Sequence, residues 1–113
     1  YGGSVLFVSA AVVASWVSPS RMRRLCDDWG RWHQWCCRNL LGLRVRETGA
    51  RPVGQAFYAI KHEAFLEAIA LPAMFDFPAA FAKQELFRIP GWGRVSRMYG
   101  NIPVARDEGP SAL

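Results

Sequence analysis

From Tyr1 to Ser20 no side chain carries a charge. That absence argues against a solvated surface helix over this stretch, because such a helix carries a polar face. Cysteine is scarce, with Cys26, Cys36 and Cys37 only. An odd number with an adjacent pair makes a poor disulfide framework, and it lacks the short paired spacings of a zinc site. Small apolar fillers in a reducing compartment are the expectation for them. Internal repeats, low-complexity tracts and recognisable nucleic-acid motifs are missing too. The chain starts with Tyr1 and stops at Leu113 in a Gly-Pro-Ser stretch, and both ends read as cut, so a fragment of a longer protein is expected.

What is present begins with apolar residues and basic charge. Half of the 113 residues are hydrophobic, which excludes a disordered chain. The formal net charge of +5 attracts polyanions, whether nucleic acid, anionic lipid or a phosphorylated substrate. The segment SVLFVSAAVVASWVS, Ser4 to Ser18, is apolar on every side. With its uncharged flanks it would span about 30 Å if helical, close to one bilayer core. Trp16 lies near its end, where an aromatic ring suits headgroups, and Arg21, Arg23 and Arg24 follow it. A signal peptide has its basic cluster ahead of the apolar run, so the order here fits an anchor whose far end faces the cytoplasm. A buried core helix is the alternative.

Ser18-Pro19-Ser20 breaks the first helix, with Ser20 as the expected cap of the next. From Arg21 to Leu41, Met22, Leu25, Cys26, Trp29, Trp32, Cys36 and Leu40 recur at three-or-four spacing. The opposite face holds Arg23, Arg24, Asp27, Asp28, Arg31 and Arg38. Trp with Arg on one helix suits a membrane interface, and packing on the chain's own domain explains the pattern as well. Gly42 should end this helix. Leu43 to Thr48 alternates as a half-exposed strand does, and Phe57-Tyr58-Ala59-Ile60 reads as a short strand entering Lys61-His62. A helix is expected over Glu63 to Leu71, limited by Pro72. Then come a strand over Pro78 to Ala82, a helical piece over Lys83 to Arg88, a helix over Gly91 to Gly100 and a strand over Ile102 to Ala105. Alternation of this kind implies an α/β fold.

His62 is the most informative residue, because the pattern puts it at a strand-to-helix turn, where α/β proteins hold their sites. Inside one regular helix, Glu67 would be rotated from it by about 140°. With His62 ahead of the helix and Glu67 in the second turn, the ring can fold back to the carboxylate. Such a bond fixes the tautomer, Nδ1–H to the carboxylate with Nε2 free to take a proton. The spacing alone is also met by a surface histidine beside a helix start.

Three blocks add to that spacing. Ala59-Ile60-Lys61-His62-Glu63-Ala64-Phe65-Leu66-Glu67, with Ala70-Leu71-Pro72 after it, resembles the first motif of the 1-acyl-glycerol-3-phosphate (lysophosphatidate) acyltransferase family. Ala82-Lys83-Gln84-Glu85-Leu86 through Ile89-Pro90-Gly91 resembles the family's second block, and Gly100-Asn101-Ile102 through Arg106 its third. The acid is Glu67 where the family more often has Asp, and its Pro-Glu-Gly-Thr motif is absent. The resemblance implies an α/β architecture in which N-terminal membrane-associated helices, residues 1–42, precede the first, truncated part of the acyltransferase domain, residues 43–113. It implies His62 as general base, Glu67 as its orienting carboxylate, and Lys83 and Arg106 at the acceptor's phosphate. It further implies a lysophospholipid acceptor, an acyl-CoA or acyl carrier protein donor, contact with membrane lipids at the cytoplasmic face of the inner membrane, and neither cofactor, metal nor nucleic acid. The product would be phosphatidic acid, and the fragment itself is expected to be inactive. A different acceptor, such as lyso-ornithine lipid, and a non-catalytic membrane-anchored scaffold are the alternatives.

Overall fold

The computed structural model describes residues 2–61 and 65–105. Among the described residues, four α-helices, a 3-10 turn and two short parallel strands make a mixed helical fold compatible with the α/β class. The first two helices form a hairpin, α1 over Gly2–Val17 and α2 over Pro19–Leu40. Ser18 is the whole joint. Its N–H donates to the Ala14 carbonyl at 2.8 Å, and its Oγ accepts from the Arg21 N–H at 3.5 Å. Pro19 fills the first helical position, where a missing N–H costs nothing. The cap is therefore Ser18 rather than the expected Ser20, because Pro19 is used to start α2 and not only to stop α1.

At 16 residues α1 is about 24 Å long, short of the bilayer-core length expected from the uncharged run. Among the described residues no helix is long and apolar enough to cross a membrane. One side of α1 packs on the rest of the chain: Ala11 and Ser15 are buried, and Ala11 joins Met22 of α2 in a core completed by a later helix. The other side leaves Val5, Leu6, Val13, Trp16 and Val17 exposed.

α2 ends as Gly42 turns left-handed, at φ +68°, and the Leu43 N–H returns to the Cys37 carbonyl at 3.0 Å. Beyond it, residues 41–61 contain neither of the strands expected over Leu43 to Thr48 and Phe57 to Ile60. Leu43, Val45, Phe57 and Ile60 stay exposed, with no neighbouring strand among the described residues to complete a ladder. Helix α3 runs over Phe65–Met74 and includes Pro72, which was expected to limit it. Pro72 forgoes one backbone bond, yet the helix continues until the Phe75 N–H reaches the Leu71 carbonyl.

Strand β1, Phe81–Lys83, begins later than the expected Pro78 and leads into a 3-10 turn over Gln84–Arg88. Helix α4, Trp92–Tyr99, then crosses to β2, Ile102–Val104, which pairs in parallel with β1, Lys83 opposite Val104. Gly100 closes α4 at φ +110°, and the Asn101 N–H bonds back to the Ser96 carbonyl at 3.0 Å. A Cβ on Gly93 would lie 2.0 Å from the Phe87 carbonyl oxygen, so only glycine lets α4 start this close to the 3-10 turn. Val95 of α4 completes the core with Ala11 and the fully buried Met22. Burying a side chain the size of Met22 contributes about 2 kcal/mol.

Polar contacts fasten α4 to the hairpin. Tyr99 donates its hydroxyl proton to Asp27 at 2.8 Å. Arg94 Nε donates to Ser15 Oγ at 3.2 Å and its Nη2 to the Ser15 carbonyl at 3.3 Å, while its guanidinium lies 3.9 Å from the Trp16 ring centroid. On the far side, Gly30 of α2 sits against the backbone of α3, where a Cβ would come within 3.1 Å of the Ile69 carbonyl.

Candidate functional site

The hairpin, α3, β1, α4 and part of segment 51–60 border a half-open cavity of about 1060 Å³. Its walls are mainly apolar: Phe7 and Ala11 come from α1, Leu25 and Trp29 from α2, Ile69 from α3, and Trp92 and Val95 from α4. The polar side chains on the lining include two carboxylates, Glu67 and Asp76, together with Ser96, Tyr99 and Asn101. A roomy apolar pocket with a few polar groups is the usual form of a small-molecule site.

Glu67 is half-buried in the first described turn of α3, and the expected helix start at Glu63 lies outside the described residues. A carboxylate there is favoured by the positive end of the helix dipole. His62 and Arg106, two of the four residues assigned from the sequence, lie outside the described residues. Lys83 is exposed where β1 ends, opposite the last residue of β2. Phe81 and Ala82 line the cavity and Lys83 does not. Of the two that lie among the described residues, Glu67 is on the cavity wall.

Cys26 also lines the cavity. Burial, with the Asp27 charge adding to it, pushes its thiol up to about 12. It therefore stays protonated near neutral pH and is a poor nucleophile. Burial likewise raises the Tyr99 hydroxyl far above its ordinary range, and the bond to Asp27 adds to the shift, so Tyr99 remains a donor. Cys26 and Tyr99 belong to the frame around the cavity. Among the described residues no group of His, Cys, Asp or Glu is arranged to hold a metal ion.

Two features of this wall had no signal in the sequence. Tyr99 and Asp27 are 72 positions apart, and no local pattern relates them. Trp29 reads as one more apolar position of an amphipathic helix. Yet its indole Nε1 is shut off from solvent and has no hydrogen-bond acceptor among the described residues.

Comparison with protein-family models, with curated proteins and with solved structures gives no match.

Proposed function

We propose that the chain is the front part of a lysophosphatidate-type acyltransferase, which moves a fatty acyl group from an acyl thioester to the free hydroxyl of 1-acyl-glycerol-3-phosphate. The observation that carries this reading is Glu67, set in the first turn of a helix on the wall of a large apolar cavity, five positions after His62. An acyl chain needs such walls, and a histidine that works as a base needs a carboxylate to orient it.

In this mechanism His62 takes the proton from the lysolipid hydroxyl as that oxygen attacks the thioester carbonyl. Glu67 stabilises the imidazolium that forms. The tetrahedral oxyanion needs donors, and backbone N–H groups at the start of α3 are suited to negative charge. Collapse of the intermediate expels the thiolate, which leaves with the proton held by His62. Lys83, exposed at the end of β1, and Arg106 hold the acceptor's phosphate. The enzyme works at the cytoplasmic face of the inner membrane, with the outward apolar side of α1 in contact with lipid.

His62→Ala in the full-length protein tests the assignment, with acyl-CoA and acyl carrier protein each offered as donor to lysophosphatidate. The expected loss in kcat is about 10²- to 10⁴-fold, the usual contribution of a general base. Unchanged transfer would remove His62 from the chemistry. A scaffold bound to membrane through α1 is the reading that remains if the wild-type protein binds vesicles but transfers no acyl group to any lysolipid.

A further inference from the structure

We infer that a phosphate group bound between Lys61 and Lys83 draws segment 57–61 onto the free edge of β1 as a third parallel strand. The first observation is that edge. The Ile102 N–H donates to the Ala80 carbonyl at 2.9 Å, and Phe81 stands opposite Ile102. In a parallel ladder Ala80 and Ala82 then turn their main-chain groups towards β2, while Phe81 and Lys83 turn theirs away from it. The residue turned outward on β2 is Pro103, which has no N–H to give. Among the described residues no further strand lies on either edge. The edge equipped both to donate and to accept is that of β1.

The second observation is the occupant. Phe57-Tyr58-Ala59-Ile60 is a continuous apolar run of the kind that fills parallel sheets, yet all four residues are exposed and form neither helix nor strand. The run precedes α3, and α3 precedes β1, which is the order of a strand–helix–strand crossover. Consecutive strands usually lie side by side. Phe57, Tyr58 and Ile60 already border the same cavity as Phe81 and Ala82. Side-chain size sets the register. With Ala59 beside Phe81 and Ile60 beside Ala82, each large residue meets a small one, whereas a shift of one residue sets Tyr58 or Ile60 against Phe81. The third observation is charge. The favoured register puts Lys61 directly opposite Lys83, and like charges so placed oppose pairing. A phosphate has the charge and the acceptor oxygens to serve both ammonium groups. Because the two lysines meet only when the strand is closed, the anion shifts the balance towards that state. A lysophospholipid as the source of the phosphate rests on the function proposed above; the free edge and its occupant do not.

The experiment is residue-resolved amide hydrogen exchange on the full-length protein, alone and with 1-palmitoyl-lysophosphatidate, inorganic phosphate or 1-palmitoylglycerol, each lipid below the concentration at which it aggregates. In the proposed register the Ile60 N–H donates to the Phe81 carbonyl and the Lys83 N–H to the Ile60 carbonyl, while the Ala59 N–H points away from β1. Saturating lysophosphatidate should slow exchange at Ile60 and Lys83 by about tenfold or more, the worth of a charge-assisted contact, and leave Ala59 within about twofold. The same slowing with inorganic phosphate supports closure by the anion alone, and slowing with lysophosphatidate only supports closure by a lipid headgroup. 1-Palmitoylglycerol, which lacks the phosphate, should leave these amides unchanged. In Lys61→Gln the slowing by lysophosphatidate should fall below about twofold. Unslowed exchange at Ile60 in the wild type overturns the inference whether or not the variant folds. So does equal slowing at Ala59, equal slowing by 1-palmitoylglycerol, or full slowing in a Lys61→Gln protein with an unchanged melting temperature. Acyl transfer measured on the same preparation separates the two claims. Closure without transfer keeps the strand switch and sinks the acyltransferase reading; transfer without closure does the reverse.

Discussion

The helical hairpin and the stretch 41–61 are both rich in apolar residues, yet one forms regular structure and the other forms neither helix nor strand. In α2 these residues return every three or four positions and α1 is apolar all round, so each helix has a side to bury, and its backbone bonds are made within itself. In 41–61 the alternation of Leu43 and Val45 and the run Phe57 to Ile60 fit strands, but a strand is completed only by another strand. β1 and β2 pair with each other three residues deep, and neither reaches this segment. Its local order comes from side chains instead. Arg51 grips Glu47, and that hydrogen bond holds the Glu47 carboxyl below its usual range. The same pattern of hydrophobic residues thus has different consequences depending on whether the partner is local or distant.

That contrast can be broken at the packed end by Gly93→Ala. The new methyl group would run into the Phe87 carbonyl, and backbone cannot give way cheaply. A loss of about 3 kcal/mol in unfolding free energy is expected from denaturant titration, the upper end for overpacking. Survival at wild-type stability would show that α4 and the 3-10 turn are less tightly joined than described.

The next effect is smaller and depends on pH. His33 of α2 shares a 2.9 Å hydrogen bond with Ser4 Oγ of α1, and burial lowers its pKa from the ordinary 6.5. The unfolded chain therefore binds the proton more readily than the folded one. Whatever stability the neutral ring lends is complete above 6.5 and is lost as the pH falls through and below that value. Melting temperature should drop between pH 7.5 and pH 5 in the wild type, and His33→Gln should flatten part of that slope. An identical slope in the variant would place the titration elsewhere.

The smallest effect should come from the loose region. Val53 is fully exposed, and Val53→Ser should change stability by less than about 0.5 kcal/mol in the same denaturant experiment. A larger loss would mean that the stretch is packed after all.

Local punctuation made much of the fold legible in advance. Pro19 and Gly42 bracket α2, and Gly100 stops α4 where a left-handed residue was needed. Where signals compete, reading them singly fails. Pro72 reads as a stop, yet α3 tolerates it; Ser20 reads as a cap, yet Ser18 stands one residue before the proline and does the capping. The bond from Arg94 to Ser15 links positions 79 apart, which no window along the chain contains. For the site, Glu67 was readable as an acid near a helix start, because that depends on a spacing. Trp29 was not, because an indole nitrogen without an acceptor is a property of the assembled wall.

Helix α1 has a consequence that its sidedness alone does not convey. Phe7, Val8 and Ala11 face the cavity, while Leu6, Val13 and Val17 face outward, so on this side one helix stands between the cavity and the surroundings. Such a partition is about 10 Å thick and greasy on both sides. An alkyl tail passing around it would exchange one oily neighbour for another and meet little water on the way.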